Sequence, residues 1–122
     1  MENTPKQTFE DLLIWKESMK MCIEIYRLFK ESRDYGFKDQ VQRTSVSVPS
    51  NIAEGFERQS SKEFIQYLYI AKASNGELRT QLLLAIELNL IEEKTGLNLV
   101  ERAKKISGMI QSLINIRKHG KR

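Results

Sequence analysis

The chain has 122 residues, enough for one domain and too few for two of ordinary size. Apolar residues make up 40% and charged residues 30%, which supports a packed core and excludes intrinsic disorder, while two prolines argue against the many turns of an all-β fold. The charge is uneven: 13 Lys and Arg against 15 Asp and Glu through residue 94, then seven against one, so the formal +4 is a C-terminal excess.

The predicted elements are helical throughout. From Phe9 to Ser32, Leu12, Trp15, Met19, Cys22, Tyr26 and Phe29 recur at alternating intervals of three and four, the stripe of an amphipathic helix over 9–32. Ile14, Met21, Ile25 and Leu28 form a second stripe on the same helix. One core face does not need both, so a second surface against another subunit is expected in preference to a wide core contact in a small bundle. Asp34-Tyr35-Gly36 reads as a turn in which glycine takes the positive φ that ends a helix. Helix two is expected over 37–58, with Val41, Ser45, Val48, Ile52 and Phe56 inward. Pro49 should kink it without breaking it, because the periodicity continues beyond.

Ser60-Ser61-Lys62-Glu63 matches the S-x-x-E capping box and opens a third helix over 61–91. Its inward set is Phe64, Leu68, Ala71, Leu78, Leu82 and Ala85, with a weak point at Asn75-Gly76. Leu82 to Ile86 is apolar all round, which again asks for a partner. Thr95-Gly96 reads as the next turn, and Asn98 with Glu101 imitates a capping box for a fourth helix over 98–117. Leu99, Ala103, Ile106, Ile110 and Leu113 face inward there, and residues 118–122 are expected as a mobile basic tail.

Four amphipathic helices joined by short turns give an all-α, antiparallel up-down-up-down four-helix bundle in a single domain over 1–122. Alternation gathers the N-terminus, the turn at 58–62 and the tail at one end. Arg58, Lys62, Arg117, Lys118, Lys121 and Arg122 are therefore the candidate contacts to nucleic acid, joined by Lys6 and partly offset by Glu10, Asp11, Glu57 and Glu63. A solubilising basic end is the competing reading of the same charge.

Chemistry of other kinds finds few residues. Di-metal bundles need inward carboxylates and Glu-x-x-His pairs, and none is present. The lone Cys22 excludes a disulfide framework or a Cys-based zinc cluster, and the lone His119 falls in the expected tail, away from any pocket a catalytic base would need. No phosphate-binding glycine loop occurs, nor an apolar run of membrane-spanning length, nor the apolar core of a signal peptide before Thr8. The expectation is a non-enzymatic cytoplasmic protein with no cofactor, metal, membrane or small-molecule substrate. The most unusual local chemistry is Arg43, Ser47, Asn51 and Glu54 on helix two with Ser74 and Glu77 on helix three, read as a polar network that fixes helix register. Tyr35, Phe37, Tyr67 and Tyr69 have faces on which bases stack, yet aromatics at helical spacing more often fill a core.

The stretch from Gln42 to Phe56, with its S-x-P-S-N-I-A-E-G element, strongly resembles the four-helix-bundle proteins encoded by intervening sequences within bacterial 23S ribosomal RNA genes. The likeness begins at Leu12 to Trp15 and continues through Arg58, Ser60, Glu63-Phe64, Tyr67-Leu68, Ile70-Ala71, Ser74, Glu77-Leu78 and Thr80-Gln81-Leu82. Asn75-Gly76 departs from it, since the family tends to carry better helix formers there. The resemblance implies a helical bundle assembled as a ring, commonly a homopentamer, without known enzymatic activity. The family's place in rRNA genes, and its similarity to accessory proteins of diversity-generating retroelements, imply RNA or a ribonucleoprotein as partner. Two function classes follow: a nucleic-acid-binding module that repeats a basic patch around a ring, and a protein-interaction scaffold with no nucleic-acid contact.

Overall fold

The computed structural model describes residues 7–120. Within them a 3₁₀ turn, Phe9–Asp11, precedes four helices: α1 Leu13–Leu28, α2 Tyr35–Phe56, α3 Ser61–Glu87 and α4 Glu93–His119. The first expected helix is thus shorter at both ends. Thr8 N–H donates to the Asp11 carboxylate at 3.0 Å and closes the 3₁₀ turn, and Leu12 is extended at φ −74° and ψ 129°, so α1 starts afresh at Leu13. Its buried face is Ile14, Ser18, Met21, Cys22 and Ile25, with Phe29 turned in just beyond the helix. That face draws on both expected stripes. Trp15 and Met19 are half-buried and Tyr26 is exposed, because α1 lies in the groove between α2 and α4 and packs more heavily on α2.

Three other boundaries move for identifiable reasons. Asp34 caps α2 by accepting the Phe37 N–H at 3.1 Å, so Tyr35 and Gly36 belong to its first turn and do not form the expected glycine stop. Helix α3 begins as expected, with Glu63 N–H donating to Ser60 Oγ at 3.2 Å, but it ends at Glu87 and not at 91. Asn89, the one positive-φ residue among those described (φ 59°), ends it: Leu90 N–H reaches the Ala85 carbonyl at 2.8 Å and Asn89 N–H reaches Ile86 at 3.0 Å, a Schellman motif closed by asparagine. Helix α4 accordingly starts at Glu93, five residues before the expected capping box, and Thr95 Oγ1 donates to Glu92 Oε1 at 2.9 Å across its first turn. Gly96, read as a turn, lies buried inside α4, where a Cβ would overlap the side chains of Ile86 and Ile91.

The pairings between helices establish the up-down-up-down arrangement. Along α3, Phe64 meets Arg117, Lys72 meets Gln111, Asn75 meets Ala103 and Ile86 meets Gly96, so residue number falls on α4 as it rises on α3. Cys22 with Ser45 and Phe29 with Phe37 align α1 antiparallel to α2, and Phe56 with Phe64 joins the near ends of α2 and α3. The described helices pack on their sequence neighbours, with α1 closing the square more lightly on α4. The expected inward sets of α2 and α3 are buried, except that Phe56 is half-buried. On α4 the last core position is Ile114, with Leu113 only half-buried.

Helix α2 passes through Pro49 without a break. The proline lacks an N–H and crowds the turn before it, and the polar side chains around it bond to carbonyls of their own helix. Thr44 Oγ1 donates to the Gln40 carbonyl at 2.9 Å, Ser45 Oγ to Gln42 at 2.8 Å, Ser47 Oγ to Thr44 at 2.7 Å and Asn51 Nδ2 to Ser47 at 2.7 Å. Polar side chains thereby enter a buried face with their hydrogen bonds already made.

The expected weak point at Asn75-Gly76 is instead an anchor. Asn75 is 1% exposed and donates from Nδ2 to the Ala103 carbonyl on α4 at 2.6 Å, fixing the register of the two helices. Substituting Asn75→Ala should destabilise the fold by about 1–3 kcal/mol through the lost bond and the space left behind. Gly55→Ala should cost about as much for a steric reason. A methyl there overlaps the Cβ of Tyr67, which is fixed to the α3 backbone and has no rotamer by which to yield. Denaturant unfolding of both variants checks these values, and an unchanged midpoint for either contradicts its assigned role.

Candidate nucleic-acid interface

Where α2 gives way to α3, three cations lie against aromatic rings. Because Gly55 lets the two helices close on each other, Arg58 reaches Tyr67: its guanidinium carbon lies 4.9 Å from the ring centroid, and Nη2 donates to the phenolic oxygen at 2.6 Å. The same Nη2 donates to Glu54 Oε2 at 3.0 Å. Tyr67 first, and then the Glu54 carboxylate, push the Arg58 pKa above its ordinary value.

The other two cations come from the last turn of α4. Arg117 places its guanidinium carbon 4.8 Å from the Phe64 centroid, and Lys118 its Nζ 5.5 Å from that of Tyr69. Residues 118 and 119 are therefore helical and do not begin a mobile tail. Arg117 and Lys118 have rings to rest on, and basic side chains suit the negative end of the helix dipole. Phe64 meets Phe56 edge to face at 5.6 Å, so the platform beneath Arg117 is itself fixed in the core.

Of the candidate nucleic-acid contacts, the fold brings Arg58 and Arg117 into one cleft of about 430 Å³, lined also by Gln59, Ser60 and Ser61. Lys62 is exposed on the first turn of α3, directly after Ser61, and Lys118 lies one residue beyond Arg117. Lys6, Lys121 and Arg122 fall outside the described residues. The aromatic seats of these cations, Phe64, Tyr67 and Tyr69, were not legible as such. Their spacing is that of a helix face, and only the approach of α2 and α4 pairs them with charges.

The six residues read as a polar network bond mainly along their own helices. Arg43 Nε pairs with Asp39 at 2.9 Å, Asn51 bonds back to Ser47, Glu54 holds Arg58, and Glu77 accepts from Gln81 at 3.4 Å, while Ser74 is partly buried on α3. The bonds that cross between helices use other side chains: Asn75 to Ala103, Lys72 to Gln111 at 2.7 Å and Arg102 to Glu24 at 2.6 Å. The side-chain oxygens of Asn75 and Gln81 are buried and accept no hydrogen bond from the described residues. Among the described residues no group of three or more His, Cys, Asp and Glu is gathered to hold a metal, and no helix is long and apolar enough to cross a membrane.

Comparison with known proteins places this geometry. A family model described as 23S rRNA-intervening sequence protein matches residues 10–112. A crystal structure of a protein of unknown function from the S23 ribosomal protein family of Bacteroides thetaiotaomicron shares the fold. Its TM-score is 0.78 at 24% identity, over 84% of this chain and 98% of that one. The curated proteins include no significant match.

The contact between Lys118 and Tyr69 can be read in solution. Hydrogen bonding from Lys118 lowers the Tyr69 pKa, with Gln111 and Lys72 adding to it. Since the folded value is depressed, the linked stability is present above the ordinary tyrosine range near about 10 and is lost as pH falls through the folded value. It is absent at neutrality. Ultraviolet titration should show one tyrosine ionising before the others, and Lys118→Met should return it to them. An unaltered titration in the variant would place Lys118 away from the phenol.

Proposed function

Because the chain belongs to the 23S rRNA-intervening sequence protein family, we propose that it is a non-enzymatic cytoplasmic RNA-binding bundle that acts as a homo-oligomer. The observation that carries the RNA reading is the meeting of Arg58, Arg117 and Lys118 at one end, each seated on an α3 ring. A seated cation has already lost much of its side-chain freedom, so it gives up less on binding than a solvated lysine does. Lys62 extends the same surface, and Lys121 and Arg122 continue the chain beyond it. Backbone phosphates are the complementary ligand, recognised without regard to base sequence.

The ring, five-membered as the family likeness implies, multiplies this modest charge by avidity. Support for self-association comes from apolar side chains left at the surface. Leu13 and Ile116 are 61% and 64% exposed beside an apolar cleft of about 310 Å³ between α1 and α4, and Leu83, Leu84 and Leu88 are exposed at the far end of α3. The same side chains favour the second reading, a scaffold that binds protein alone.

Filter binding of a structured RNA across a salt series separates the two readings. Affinity should fall with salt at a log–log slope of about 0.9 per duplex phosphate neutralised, or about 0.7 for single strands, and Arg117→Gln with Lys118→Gln should flatten that slope. Absence of binding at moderate salt would leave the scaffold reading. Sedimentation at micromolar concentration should show a closed oligomer, and Leu13→Glu should shift it toward monomer. A wild-type chain that sediments as a clean monomer overturns the ring.

A further inference from the structure

The cleft between the α2–α3 turn and the last turn of α4 differs from the rest of the surface in its lining. Among the described residues its charged members are Arg58 and Arg117, and none of these lining residues is a carboxylate. Both hydrogen bonds of Arg58 leave from Nη2, so its Nε–H and Nη1–H₂ donors remain uncommitted among the described residues. The Arg117 guanidinium lies over the Phe64 ring and forms no ion pair among the described residues, which leaves its charge to a ligand. Ser60 and Ser61 line the same space, at the positive end of the 27-residue α3 dipole, with the Ser60 hydroxyl itself engaged by Glu63.

We propose that this cleft is a discrete binding site for one phosphate group, held in the fork of the Arg58 and Arg117 guanidiniums. Planar guanidiniums match the paired oxygens of a phosphate, and here each is oriented beforehand, Arg58 by Tyr67 and Glu54 and Arg117 by Phe64. Glu54 has a second effect. Its carboxylate competes with the ligand for the Arg58 charge, while Glu57 and Glu63, nearby on the turn and the first turn of α3, lower the potential further. The site therefore holds a lone phosphate weakly and is suited to a phosphate delivered by a larger molecule. It deepens the RNA reading and rests on it for the source of that group, which is either a terminal phosphomonoester or an internal phosphodiester of the strand.

Inorganic phosphate titrated into the ¹⁵N-labelled full chain, with chloride holding ionic strength constant, tests the pocket directly. The Ser60 and Ser61 amides and the Arg58 and Arg117 Nε–H resonances should shift and saturate. Arg117→Gln should weaken the phosphate at least about tenfold, as loss of a charge-assisted hydrogen bond implies. Glu54→Gln should strengthen it, an effect that simple structural damage does not produce. Shifts that never saturate, or that chloride reproduces, overturn the proposal, as does wild-type affinity in both variants.

Oligoribonucleotides with and without a 5′-phosphate then identify the source. Tighter binding of the phosphorylated strand assigns the pocket to the terminal group, and equal binding that inorganic phosphate displaces assigns it to the backbone. If phosphate saturates the pocket and neither strand binds, the pocket stands and the RNA reading falls. If RNA binds while phosphate shifts nothing and Arg117→Gln is silent, the pocket falls and the RNA reading stands.

Discussion

The close approach of α2 and α3 at Gly55 is the constraint on which the loaded end of the bundle depends. With no side chain at 55, the Cβ of Tyr67 occupies the space a methyl would fill, and the two helices meet just before the chain turns. Two consequences follow from this one contact. Phe56 stacks edge to face on Phe64, and Arg58 closes on Tyr67. Arg117 then completes the end from α4 by resting on the same Phe64. A bulkier residue at 55 would spread the helices and separate the cations from their seats.

Buried polarity in this bundle is handled mostly within single helices. Around Pro49, where a backbone donor is missing, hydroxyl and amide side chains turn onto carbonyls one turn back, and α2 remains continuous. Such bonds satisfy the groups that make them, so α2 can present Thr44 to the core without a matching polar partner, while Ser45 also meets Cys22 Sγ on α1 at 3.4 Å. Register between helices is left to a few crossing bonds. Asn75 to Ala103 is the most deeply buried of these, and Arg102 to Glu24 ties α4 to its lighter contact with α1.

Two surfaces of different character carry the proposed function. The arginines resting on rings would meet phosphate, whereas the exposed Leu13 and Ile116 beside an apolar cleft would meet another protein surface. Both features lie near the same end, since Ile116 immediately precedes Arg117 on α4. Association through the apolar cleft would thus set the cationic sites of neighbouring subunits close to one another. Membership of the 23S rRNA-intervening sequence family and a fold shared with an S23-family structure fix the family and the architecture.

What the sequence determined by itself is the periodic part of the structure. The helical stripes, the Ser60 cap and the cores of α2 and α3 follow from spacing and local hydrogen bonding, which need no distant partner. Short-range reasoning failed where a residue's role depends on what packs against it. Gly96 and Gly36 both read as turn signals, yet one is a close-packing position in α4 and the other begins α2, while the real stop is Asn89. Asn75 read as a weakness, and the carbonyl of Ala103 makes it an anchor. Lys118 read as part of a loose tail, and Tyr69 gives it a place. Helix alternation gathered the basic candidates at one end, but their cleft and their aromatic seats were not visible in the sequence. Tertiary structure decided that, because residues 58 and 117 are far apart in the chain and meet only when α3 carries Phe64 and Tyr67 between them.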